Sequence, residues 1–227
     1  AVGLFMAGVV VLPMIIFPLV AGPNYNGINE ANFGRDEKWY LSEGRDILEG
    51  HGLGNPVLRD GKDGPEMHFT FITQALVTPL RMVGLTDKQI DVGVFLLSIL
   101  VYGLAWAMSG DKIFSVVAAV FVIGGYPILF YKSLFHPEFI FYGRAFSPYL
   151  GSIFFFLFLN FLIRALRSGD TKVIIFAAAS FGALFYVYMF AWTFAGALLV
   201  SFCILYLIRR DYSSARQVFM IGLGGLI

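Results

Sequence analysis

Apolar residues in this chain gather into long runs separated by short polar stretches, the pattern of helices that cross a bilayer. The runs cover Val2–Ala21, Ile90–Met108, Ile113–Tyr131, Tyr149–Leu166, Val173–Tyr188 and Phe190–Ile208. A last one starts at Val218 and continues to Ile227. A hydrocarbon core of about 30 Å takes roughly 20 helical residues, so the first six read as spans and the last as a truncated one. The stretch Val173–Ile208 would measure about 54 Å as a single helix, too long for one crossing. It is expected to fold back near Met189–Thr193, where Tyr186, Tyr188 and Trp192 suit a membrane interface. Within Ile113–Tyr131, Gly124-Gly125-Tyr126-Pro127 is expected to loosen or bend the helix, since proline lacks a backbone donor. The fold class is therefore an all-α membrane protein with about seven transmembrane helices, a single module over 1–227 expected to be a fragment of a longer chain.

Between the first two runs, Gly22–Gln89 is polar and long, and two amphipathic patterns interrupt it. Tyr40, Leu41, Gly44, Ile47 and Leu48 share one helical face, while Ser42, Glu43, Arg45, Asp46 and Glu49 form a solvated one. Gly50 and Gly52 end this first surface helix. A second surface helix runs from Met67 to Val83, with Phe69, Ile72, Leu76, Leu80 and Val83 on its apolar face.

Composition sharpens the class. A mean hydropathy of +0.77 with 58% hydrophobic residues is too apolar for a soluble domain. The net charge of +1 gives no sign of a nucleic-acid partner, and the lone Cys203 excludes an intramolecular disulfide framework. Basic residues set the orientation. Arg164, Arg167 and Lys172 fill one connection, Arg209, Arg210 and Arg216 another, and Lys112 stands beside Asp111 in a third. All three connections fall on one side, which the positive-inside rule makes cytoplasmic. The first loop (22–89) and the second (132–148) are then external to the cytoplasmic membrane. Eleven of the fifteen acidic residues lie between Glu30 and Asp91, so polar chemistry concentrates in the first of them. No span carries an acid near its centre, which argues against an ion-coupled transporter.

The acidic pair of Gly34-Arg35-Asp36-Glu37-Lys38-Trp39-Tyr40 stands out, placed shortly after the first span and just before the first surface helix. An outward first span, an external acidic pair followed by an aromatic residue, two surface helices and a return to the membrane resemble the amino-terminal half of a GT-C glycosyltransferase. These multi-span enzymes draw on polyprenyl-phosphate-linked sugars and include protein O-mannosyltransferases and aminoarabinose transferases. The residues that carry the likeness are Asp36 through Tyr40, then Gly44 through Gly52, then Pro65 through Gly84.

The resemblance implies transfer of a sugar, with inversion, to an acceptor hydroxyl on a protein, glycolipid or polysaccharide. Such a step needs a base for the hydroxyl and positive charge for the departing phosphate. Asp36 is the expected base and Glu37 its helper. Arg144, whose guanidinium fork can contact two phosphate oxygens, is the leading phosphate group. Lys62, Lys132, Tyr40 and His68 complete the candidate substrate and phosphate contacts. The chain departs from the family where Ser147 and Pro148 follow Arg144, because metal-dependent members place an acid in this loop and Glu138 sits several residues early. His51, His68 and His136 show no HxxxH or HxH spacing. No cofactor is expected, and a divalent metal is not favoured. A polyprenyl-linked donor and membrane lipids are the expected partners, with phenylalanine, 25 residues in all, suited to lining a lipid groove. The alternative class is a non-catalytic multi-span protein, a transporter half or assembly subunit, whose external loop binds a partner.

Overall fold

The computed structural model describes residues 89–129, 149–187 and 189–227, with Leu19, Val20, 22–24, Asp46, Gly50, His51, Asp63, Thr78, Pro79 and Met82. Every element among them is helical. In chain order these are α1 (Gln89–Ser109), α2 (Lys112–Leu129), α3 (Tyr149–Ser168), α4 (Thr171–Val187), α5 (Met189–Ile208) and α6 (Tyr212–Gly224), and a single 3-10 turn covers Gly22–Asn24. Among the described residues, two helical segments are long and apolar enough to cross a membrane, Gly151–Ser168 in α3 and Phe190–Ile208 in α5. Apolar segments of α1, α2 and α4 are shorter: Val94–Ser109, Lys112–Gly124 and Thr171–Val187.

The chain divides into two compact units, one formed by 1–99 with 119–149 and the other by 100–118 with 150–227. In the first, the described parts of α1 and α2 each bury a narrow stripe. Val94, Leu97 and Ser98 are buried on α1, and Ala119 and Ile123 on α2, at helical spacing. The second unit has a contiguous hydrophobic core. Phe158, Leu162 and Ala165 of α3 meet Ile174, Ala177, Phe181 and Leu184 of α4, Ala195 and Leu199 of α5, and Val218 and Ile221 of α6. Aromatic rings knit these helices together: Phe158 lies 5.6 Å from Phe181, Phe155 meets Phe194 edge-on at 5.6 Å, and Phe161 stacks on Phe176 at 5.4 Å. Outward faces stay apolar. Phe190, Phe194, Val200, Ile204 and Ile208 of α5 are all exposed, a surface suited to lipid rather than water.

Small residues let α4 and α6 approach closely. A methyl group on Gly225 would stand 2.5 Å from the Phe181 ring and 2.9 Å from the Ala178 carbonyl, and one on Gly182 would stand 2.9 Å from the Gly225 carbonyl. Backbones therefore touch here as in small-residue membrane packing.

Several boundaries differ from the sequence reading. The fold-back between α4 and α5 is tighter than Met189–Thr193, for those residues are already helical. Thr193 donates its hydroxyl to the Phe190 carbonyl at 3.0 Å, and Trp192 stacks on Phe185 at 4.9 Å. Helix α6 starts well before Val218 because Asp211 caps it. The Gly124–Pro127 stretch lies within α2, which stays helical to Leu129. Arg164 and Arg167 sit in the last turns of α3 rather than in a connection, since leucine, alanine and arginine all favour continuing the helix.

Replacing Gly182 with alanine drives a methyl into the α6 backbone and is expected to destabilise the second unit by about 1–3 kcal/mol. Unfolding of the purified protein in mixed micelles measures this, and an unchanged midpoint would mean that the α4–α6 contact yields at no cost.

Candidate functional site

The sequence-predicted site residues Asp36, Glu37, Tyr40, Lys62, His68, Lys132 and Arg144 lie outside the described residues. So do the two surface helices as wholes, though fragments of both are described. Asp46 is helical, Gly50 has a left-handed backbone with φ of 83°, and the His51 N–H donates to the Asp46 carbonyl at 2.9 Å. That six-to-one bond over a left-handed glycine is a Schellman ending, as expected for a helix stopped at Gly50. Asp46 itself corrects the reading. It is 1% exposed and not part of a solvated face. Burial is set by what packs against a helical position, which the i, i+4 pattern of the sequence does not specify. His51 Nδ1 stands 3.5 Å from a carboxylate oxygen of Asp63. Thr78, Pro79 and Met82, from the second expected surface helix, have helical backbone and are exposed.

The described polar chemistry gathers instead at one end of the second unit. Asn160 donates its amide to the Leu100 carbonyl of α1 at 2.9 Å and to the Phe156 carbonyl of α3 at 2.8 Å. Seven residues on, the Arg167 guanidinium donates to the Ala107 carbonyl. Both interhelical bonds join residues sixty positions apart, so α1 and α3 run parallel and in register. Helices α4 and α5 form an antiparallel hairpin, which brings the ends of α1, α3 and α5 to the same side.

Each of these three ends turns by the same device. A residue with left-handed backbone stops the helix, and the aspartate after it caps the next one. The left-handed residues are Gly110, Gly169 and Arg210, with φ of 69°, 65° and 58°. Asp111 accepts from the backbone N–H groups of Ile113 and Phe114 at 2.7 and 3.0 Å, Asp170 from Lys172 at 2.9 Å, and Asp211 from Ser214 at 3.1 Å. In the first two turns the preceding serine also accepts from the aspartate N–H, at 3.1 Å in both. Ser109-Gly110-Asp111 and Ser168-Gly169-Asp170 are thus one motif used twice, a repeat visible in the sequence that hydropathy reading passes over. Glycine occupies the left-handed region freely, whereas arginine at 210 carries steric strain there. The Arg210 turn closes instead by two Schellman bonds, from Asp211 N–H to the Tyr206 carbonyl at 2.9 Å and from Arg210 N–H to the Leu207 carbonyl at 3.0 Å.

Around these turns stand Lys112, Arg164, Arg167, Lys172, Arg209, Arg210 and Arg216, seven bases against the three capping aspartates. An open groove of about 480 Å³ lies between the ends of α1 and α3, lined by Gly103, Trp106, Met108, Gly110, Arg164 and Arg167. The chain matches no protein-family model, no curated protein and no solved structure.

Hydrogen bonds from Ser214, side chain first and then backbone, hold the Asp211 carboxyl below the ordinary aspartate value of 3.8. A lowered folded-state value makes the cap's contribution present at neutral pH and lost as pH falls through that value. Acidification from pH 5 to about 2 is therefore expected to remove amide-exchange protection from the first turn of α6. Asp211→Asn, which keeps a capping oxygen at every pH, should abolish that dependence, and a persisting one would assign it to another group. Arg210→Gly relieves the left-handed strain and is expected to raise stability by about 0.5–1 kcal/mol in micelle unfolding.

Proposed function

We propose that the chain belongs to a polyprenyl-phosphate-dependent membrane glycosyltransferase of the GT-C type, with about seven spans and its active face external to the cytoplasmic membrane. The observation that carries the reading is the parallel alignment of α1 with α3. Segments 22–89 and 132–148, which hold all the candidate site residues, lead into these two helices. Helices that run the same way start from the same side. On this reading Asp36 and Glu37 from the first segment share a membrane face with Arg144 and Lys132 from the second. The end rich in arginine and lysine then lies opposite them, in the cytoplasm, in line with the positive-inside rule.

In the proposed reaction Asp36 takes the proton of the acceptor hydroxyl as its oxygen attacks the anomeric carbon of the sugar. The bond from that carbon to the carrier's phosphate oxygen breaks, and the phosphate leaves with the electron pair. Arg144, helped by Lys62 and Lys132, stabilises its charge. Tyr40 and His68 contact the sugar or phosphate, and no metal enters the step. The acceptor is a hydroxyl on a protein, a glycolipid or a polysaccharide.

Full-length protein in membranes supplied with radiolabelled polyprenyl-phosphate sugars tests this reading. Asp36→Asn is expected to cut transfer by about 10²–10⁴-fold with expression and thermal stability unchanged. Equal transfer by both proteins would remove Asp36 from catalysis. Transfer by neither, with every donor tried, would favour the non-catalytic alternative.

A further inference from the structure

The groove between the ends of α1 and α3 has a charge balance that the glycosyl-transfer reading does not use. Arg164 and Arg167 are one helical turn apart and line the same cavity, so both guanidinium groups border one space. A helix C-terminus normally repels anions, but here three carbonyls in the last turns of α1 are hydrogen-bonded. Ser109 Oγ donates to the Ala105 carbonyl at 2.8 Å, the Gly110 N–H donates to the Trp106 carbonyl at 2.9 Å, and Arg167 covers the Ala107 carbonyl.

The nearby acids are committed elsewhere. Asp111 caps α2 and Asp170 caps α4, and among the described residues no carboxylate lies in ion-pair distance of either arginine. Arg167 spends one of its five donors on α1, which leaves the rest of its fork and all of Arg164 for a ligand. Apart from Ser109, the remaining walls carry no polar side chain. Trp106, 46% exposed, and Met108, 62% exposed, border the two charges. A free inorganic anion has no use for an indole and a thioether beside its charge, whereas an amphiphile has. The groove's volume falls in the range of small-molecule sites.

We propose that this groove binds the phosphate headgroup of an anionic membrane lipid, with Arg164 and Arg167 on the phosphate and Trp106 and Met108 against the first carbons of the lipid. The site stands at the basic end of the helices, on the side opposite the proposed active face. It rests on the membrane placement of the chain and not on its catalysis.

The test uses the full-length protein in nanodiscs of phosphatidylcholine with added phosphatidylglycerol, and native mass spectrometry of the released complexes. Wild type is expected to retain phosphatidylglycerol in preference to phosphatidylcholine. Arg164→Gln should weaken that retention by about tenfold, the scale of one lost charge-assisted contact. Arg164 is exposed and holds no backbone group, so this variant folds; helix content by circular dichroism verifies it. Arg216→Gln removes an equal charge from the same end and should leave retention within about twofold. Equal losses from the two variants would mean diffuse attraction and overturn the site. Equal retention of the two lipids, or displacement by millimolar inorganic phosphate, would overturn it as well. Carbonate extraction of the wild-type protein from membranes reads the membrane placement separately, so a failed placement is not mistaken for a failed site.

Discussion

The pairing of α1 with α3 turns on the Asn160 amide. It reaches across to the Leu100 carbonyl of α1 while holding the Phe156 carbonyl of its own helix. In apolar surroundings such a bond has little competition from water, and a lone polar side chain can set which residues of two helices face each other. Gly103 makes the approach possible, since a methyl there would stand 3.3 Å from the Asn160 side-chain oxygen. With that register set, Arg167 meets the end of α1 and the two arginines of α3 border a groove instead of facing open water. The groove is a consequence of the register.

The turns follow from a second constraint. Helix ends leave backbone donors and acceptors unsatisfied, and a connection of two or three residues has little else to offer them. A left-handed residue followed by aspartate resolves both ends at once: the first redirects the chain and the second caps the next helix. Using the device three times concentrates three carboxylates at one end, yet each is taken up by backbone N–H groups. The net result is a basic surface, although the chain as a whole carries a charge of only +1. Charge count and charge availability differ here because hydrogen bonding removes the acids from play.

Much of the helical framework was legible in the hydropathy pattern. The ends of α1, α3 and α5 fall within one or two residues of the apolar runs, because a run long enough to bury or to meet lipid is long enough to form a helix. One misplaced boundary has a clear cause. The start of α6 is marked by the Asp211 cap, a polar contact to which a run of apolar residues is blind. Asp46 shows the same weakness in another form. Its sequence neighbours suggest a wet helix face, but burial belongs to whatever packs against that face.

By itself the sequence determined the helical class, the apolar character of the surfaces, the concentration of acids before α1, the excess of bases over acids from α3 onward, and the repeated Ser-Gly-Asp turns. These are local or additive properties, read from composition and spacing. Only the tertiary structure decided that α1 and α3 run parallel with a sixty-residue offset, that α4 and α6 touch through Gly182 and Gly225, and that Trp106 shares a groove with Arg164 and Arg167. Contacts between residues far apart in the chain depend on which helix faces meet. That choice is made by a few polar and small side chains, Asn160 and the glycines above all, whose effect lies in their partners and not in their own pattern.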